Sequence, residues 1–178
     1  MPKNYVFGYG SIINLKSANK TTKAKNLKPK TIFDFSREWN INIEGVNQTA
    51  LGIIKKKGSK CNGVLVEVDD LKEMDKREVG YNRVLVEDNI WVYIPKKTNK
   101  ATKDYPIVQS YVDVVLDGCF KISNDFAKEF MDTTNGWKYL VNDRENPKYP
   151  RYEKNLIFKK EIDSLLSSHP KTKFIFKN

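Results

Sequence analysis

The stretch "YVFGYGSIIN", Tyr5–Asn14, decides how the chain is read. An apolar run stops at Gly-Tyr-Gly-Ser and resumes at once with Ile12 and Ile13. A strand over residues 4–9 is therefore expected to end in a glycine-bearing bend. Glycine lets the backbone come close to a bound group, and freed amides can hold a negatively charged oxygen. The spacing superficially matches a dinucleotide fingerprint, but Ile13 stands where the third glycine belongs. The segments that follow read as hairpins rather than as a strand–helix–strand unit, which excludes that reading.

Outward from this stretch the chain first reads as strands. "TIFDFSREWNINI" alternates Phe33, Phe35, Trp39, Ile41 and Ile43, with a bulge or bend expected at Ser36–Glu38. "ALGIIKK" and "CNGVLVEV" read as two strands turning at "KKGSK". "YNRVLVE" and "IWVYIP" form a further pair around Asp88-Asn89. Helical spacing takes over in "IVQSYVDVVLDGCF", in "NDFAKEFMDTTNG" (expected to stop at Gly136) and in "EKNLIFKKEIDSLLSS"; "KFIF" is a candidate last strand. Strands early and helices late predict an α+β fold. The 178 residues fit one domain, 1–178, with a core over about 4–133 and a C-terminal extension over about 134–178.

Composition narrows the chemistry. The net charge of +10 raises the possibility of a nucleic-acid partner, yet only Arg37, Arg77, Arg83, Arg144 and Arg151 supply guanidinium groups; the other basic residues are Lys. Loops such as "NKTTKAKNLKPK" read as solvated, so no specific nucleic-acid partner is expected. No long apolar run or secretory leader is read in the sequence, and Cys61 and Cys119 form no C-x-x-C. A cytoplasmic protein with buried free thiols and no membrane partner is the expectation. His169 stands alone near the tail, so neither a zinc site nor a His-dependent nucleophile is expected. The chemistry left is that of amides, hydroxyls and carboxylates, without metal or organic cofactor.

One carboxylate stands out. In "DDLKEMDKREVG", a helix from Asp69 to Gly80 puts Leu71, Met74 and Glu78 on one face and turns Lys72 and Lys76 outward. A carboxylate on an apolar face is desolvated, which raises its pKa toward the range useful for proton transfer. The alternatives are a helix that frays before Glu78, or neutralisation by Arg83. Tyr111 falls on the apolar face of its segment, where it serves either the core or a ligand.

Taken together, "VFGYGSIIN" and the later "LKEMDKREVGYNRVLV" resemble the gamma-glutamylcyclotransferase-like superfamily. The matching positions are Tyr9, Gly10 and Ser11, then Asp75, Glu78, Tyr81 and Arg83. "QSYVDVVLDGCFKISNDFAKEF" is similar to the family's Tyr-containing C-terminal segment. The resemblance implies a small mixed β-barrel with flanking helices. It implies a γ-glutamyl substrate cyclised to 5-oxoproline with release of an amine or amino acid. Glu78 would be the catalytic acid/base, and Tyr9, Gly10, Ser11, Ile12, Ile13, Asn14 and Tyr111 the substrate-binding residues. A non-catalytic ligand-binding module on the same fold and a basic nucleic-acid binder are the competing functions. The leaving group and the oligomeric state are not read from the sequence.

Overall fold

The computed structural model describes residues 3–20 and 27–172. Strand β1 (Asn4–Gly8) is the hub of the sheet: it pairs antiparallel with β3 (Gln48–Val68) and parallel with β5 (Ile90–Pro95). Along most of its length β3 pairs with β2 (Lys28–Ile43), the two turning at Glu44–Asn47, where Gly45 and Asn47 take positive φ. Strand β4 (Tyr81–Glu87) pairs with β5, and the short β7 (Thr134–Asn135) adds to β2 in parallel. The six-stranded order is β4-β5-β1-β3-β2-β7. A second, two-stranded ladder joins β6 (Ile107–Val108) to β8 (Leu140–Val141).

Two local expectations change. Residues 48–68 are one strand, not two joined at "KKGSK". Gly58 takes φ +78, but its N–H donates to Asp34 Oδ1 at 2.8 Å, and Asp34 itself has φ +64. The glycine thus serves a bulge that bends the β2–β3 pair rather than a chain reversal. The irregularities of β2 lie between Phe33 and Phe35 and between Trp39 and Ile41, not at Ser36–Glu38. The extra residue changes which face each side chain takes: Phe33 is 68% exposed and Phe35 6%.

Helices follow the strands, as an α+β fold requires: α3 (Gln109–Ile122), α4 (Asn124–Thr133) and α5 (Lys159–Ser168), with the short α1 (Leu15–Asn19) and α2 (Leu71–Arg77) inserted earlier. α4 stops at Thr133 rather than Gly136, because Thr134 and Asn135 leave it to pair with Arg37 and Glu38. Where a closed barrel is expected, the pairing among the described residues is an open sheet with β4 and β7 at its edges. β7 is two residues long, and Gly136 after it takes φ +80. The "KFIF" segment and residues 21–26 of the Lys-rich loop lie outside the described residues.

The main core packs Ile13, Trp39, Leu51, Val115, Leu116 and Phe130 with Trp137, Leu140, Ile162 and Leu166 from beyond residue 133. Cys61 and Cys119 are buried and unpaired as disulfides. α3 approaches the start of α1 so closely that a Cβ on Gly118 would lie 2.6 Å from Asn14 N.

Arg37 is fully buried at the centre of this frame. Its Nε donates to Thr134 Oγ1 (2.8 Å) and its Nη2 to Asn62 Oδ1 (2.8 Å), Thr133 Oγ1 (3.0 Å) and Phe130 O (3.1 Å). Nη1 donates to Asn62 O at 2.5 Å and, at a long 3.5 Å, to Tyr9 O. The guanidinium also lies 3.7 Å from the Phe130 ring centroid. Burial pushes its pKa down. Replacing Arg37 with Leu strips several buried acceptors of their donor at about 1–3 kcal/mol each. Arg37→Leu is therefore expected to lower unfolding stability in urea by about 3 kcal/mol or more; a change under about 1 kcal/mol would refute this role.

Candidate active site

The chain leaving β1 is shaped by close packing. After Gly8 it passes through Tyr9 and Gly10 into a 3₁₀ turn, Ser11–Ile13, closed by Ile13 N–H donating to Gly10 O (2.9 Å) and Asn14 N–H to Ser11 O (3.2 Å). The amides of Ser11 and Ile12 precede the first of these bonds, so the turn does not use them. Gly10 has φ −127, outside the left-handed region, and its surroundings leave little space for a side chain. A Cβ at Gly10 would sit 3.1 Å from Tyr111 Oη.

Glu78 reaches the same place from another direction. Asp70 caps α2, its carboxylate accepting from Lys72 N–H at 2.7 Å. The helix then ends at Arg77, shorter than the expected 69–80 span, and Glu78 is its C-cap (φ −98, ψ 43). Glu78 N–H donates to Met74 O and Glu78 O accepts from Tyr81 N–H, both at 2.9 Å, so the turn into β4 is fixed on both sides of the residue. Arg83 does not take Glu78 as its partner in the way the sequence allows. Its Nη1 bonds Asp75 Oδ2 at 2.8 Å, and Tyr93 Oη donates to Asp75 Oδ1 at 2.9 Å. Asp75 thereby ties α2 to β4 and β5 just ahead of Glu78.

Loop and carboxylate line one cavity of about 120 Å³. The end of β1 and the loop after it, through Ile12, form one wall; Met74, Glu78, Tyr81 and Tyr93 another; Leu51 and Tyr111 also line it. Of the site residues expected from sequence, Glu78, Tyr9, Gly10, Ser11, Ile12 and Tyr111 are brought together here. Ile13 and Asn14 are not. Ile13 is in the core, and Asn14 caps α1 while its Nδ2 donates to Val114 O (3.0 Å) and Asp117 Oδ2 (3.1 Å). Both hold the loop from behind.

The cavity wall is rich in hydroxyls that stay neutral. Burial pushes the Tyr111 hydroxyl well above its ordinary pKa, with smaller contributions from Tyr149 and Tyr81. Burial, then the charge of Glu78, raises Tyr81 to about 12. Tyr9 is raised chiefly by burial and donates to Tyr93 O at 2.9 Å. Tyr93 is raised by burial and by its bond to Asp75. Among the lining residues Glu78 is the one carboxylate. Tyr93 and Leu51 were not foreseen as lining residues. The motif that carries Glu78 includes Tyr81, and its period-two spacing in β4 is the signal that could have placed it. Among the described residues no group of three His, Cys, Asp or Glu side chains is arranged to hold a metal, and no helix is long and apolar enough to cross a membrane.

No family model and no curated protein sequence matches this chain. Solved structures do match its fold. An uncharacterised protein from Homo sapiens aligns over 78% of this chain and 92% of its own, with TM-score 0.57 and 12% identity. A gamma-glutamyl cyclotransferase aligns over 77% of this chain and 92% of its own, with TM-score 0.57 and 12% identity. YkqA from Bacillus subtilis aligns over 74% of this chain and 54% of its own, with TM-score 0.57 and 16% identity. The chain therefore has the gamma-glutamyl cyclotransferase-like fold, the one its two motifs resemble.

If Asp75 holds the Glu78 turn in place, its loss should loosen that turn without unfolding the protein. The Arg83–Asp75 pair is partly exposed, and such pairs contribute about 1 kcal/mol at most. Asp75→Ala is expected to change global stability by roughly that amount, plus the Tyr93 bond, while speeding hydrogen exchange at the Tyr81 amide. Unchanged exchange at Tyr81 would show that the turn is held by other means.

Proposed function

We propose that this protein is a γ-glutamyl cyclotransferase, converting a γ-glutamyl compound to 5-oxoproline and releasing the attached amine or amino acid. The observation that carries the reading is the meeting of Glu78 with the Tyr9–Ile12 loop across one cavity, from distant parts of the chain. The fold likeness supports it. In this reading the sheet is a barrel of the cyclotransferase type left open between β4 and β7, the substrate is a small molecule, and the protein is cytoplasmic without a specific nucleic-acid partner.

The reaction suits these residues. The α-amine of the substrate attacks its own γ-carbonyl carbon, forming one C–N bond and closing a five-membered ring; the C–N bond to the leaving group then breaks. The nucleophile belongs to the substrate, so neither Ser-His nor Cys-His machinery is called for. Holding the chain folded for attack supplies much of the acceleration. Glu78 accepts the proton that the α-ammonium loses and returns it to the departing nitrogen. The Ser11 and Ile12 amides and the Ser11 and Tyr111 hydroxyls stabilise the negative charge on the substrate carboxylate or on the developing oxyanion. No step requires a metal or an organic cofactor.

The test is to incubate purified protein with a panel of γ-glutamyl amino acids, peptides and amines and to detect 5-oxoproline. Glu78→Gln is expected to keep the fold and lower kcat by about 10²–10⁴-fold. Gly10→Val, whose side chain would crowd Tyr111 Oη, should lose more activity than Ser11→Ala, which removes one donor among several. Glu78→Gln with wild-type kcat would remove Glu78 from the mechanism. Binding of γ-glutamyl compounds without turnover would make the protein a ligand-binding module.

A further inference from the structure

The segment beyond α4 reaches the site. Asp143 holds it: Oδ1 accepts from Ser110 N–H (2.7 Å), and Oδ2 accepts from Ser110 Oγ (2.6 Å) and from Lys148 N–H (2.8 Å). Ser110 Oγ in turn accepts from Tyr149 N–H at 3.1 Å. A second anchor lies alongside, where Arg144 bonds Asp113 through Nε (2.7 Å) and Nη2 (2.8 Å) and also pairs with Asp163 of α5 (2.7 Å). These contacts pin residues 143–149 onto the first turn of α3. Tyr149 is thereby laid flat on Tyr111, with centroids 4.4 Å apart and planes 10° apart. Two residues later, Arg151 Nη1 donates to Ser11 Oγ at 3.2 Å and to Tyr149 Oη at 3.4 Å.

The direction of the Arg151–Ser11 bond matters. A guanidinium only donates, so the Ser11 oxygen is the acceptor and its own O–H remains to be given. Among the described residues no acceptor takes that proton, and Ser11 lines the cavity. A hydroxyl that accepts from a cation is polarised into a stronger donor. Both partners of Arg151 here are neutral hydroxyls, so its positive charge is not cancelled by them.

We infer that Arg151 is a positioning residue of the cavity: by occupying the Ser11 oxygen it commits the Ser11 O–H to a negatively charged oxygen of the bound ligand, a carboxylate or a developing oxyanion. The inference rests on the γ-glutamyl reading, and it assigns a role at the site to the C-terminal segment. Because Arg151 acts through Ser11, the effects of the two residues should not add.

The test is a double-mutant cycle read by 5-oxoproline formation, together with binding of an N-acetyl-γ-glutamyl amino acid, whose blocked amine cannot cyclise. Ser11→Ala and Arg151→Met are each expected to lower kcat/KM about tenfold, and the double variant also about tenfold rather than a hundredfold. Arg151→Lys, which keeps a cation and a donor, should retain part of the loss-sensitive activity, while Arg151→Gln should behave like Arg151→Met. Affinity for the analogue should fall in the same pattern. Additive losses, or full activity in both Arg151→Met and Arg151→Gln, would overturn the inference alone. Wild-type protein that neither forms 5-oxoproline from any γ-glutamyl compound nor binds the analogue would overturn the reading beneath it.

Discussion

A cation buried without a carboxylate partner is the constraint around which this protein is organised. Arg37 has no ion pair among the described residues, and an isolated buried charge is costly. The structure meets the cost with oxygen acceptors drawn from separate elements: Asn62 on β3, Phe130 and Thr133 on α4, and Thr134 on β7. Phe130 O lies in the last turn of α4, where the helix dipole presents its negative end to the guanidinium. Only a planar fork with several fixed donors can serve all these groups at once; a Lys ammonium could not. The same guanidinium reaches back to Tyr9 O, so the requirement that Arg37 be satisfied also restrains the loop bordering the cavity.

The other side of the cavity is held independently. Asp75 joins Arg83 and Tyr93, and backbone bonds on both sides of Glu78 set its direction. A loop restrained by β2, α3 and α4 therefore faces a carboxylate restrained by β4 and β5. Between them lie tyrosines whose pKa values are raised by burial, so the phenols act as neutral donors at physiological pH. Glu78 is the one carboxylate among the residues lining that cavity.

Much of this was legible in the sequence, for identifiable reasons. The first strand and its bend, the β4–β5 pair and the helical nature of 109–122 follow from periodicity and turn residues. Glu78 and the Tyr9–Ser11 loop stood out because a polar group interrupted an apolar pattern. Long-range geometry was not legible. "KKGSK" carries a hairpin signal, but Asp34, distant in sequence, accepts the Gly58 amide and turns that signal into a bulge. Asn14 belongs to the right motif, yet its side chain is taken by the α1 cap and by α3. Nothing in the sequence marks Arg37 as an organising residue, because its acceptors come from residues 62 and 130–134. The same holds for Arg151, whose contact with Ser11 spans most of the chain.

The central claim is that the Tyr9–Ile12 loop and Glu78 together hold a γ-glutamyl-derived ligand. Titration of isotopically labelled protein with 5-oxoproline, followed by amide chemical shifts, tests it directly. The account predicts that the largest shifts fall on Gly10, Ser11 and Ile12, with a second set at Glu78 and Tyr81. Saturable shifts confined to residues remote from this cavity, or none up to millimolar ligand, would contradict it.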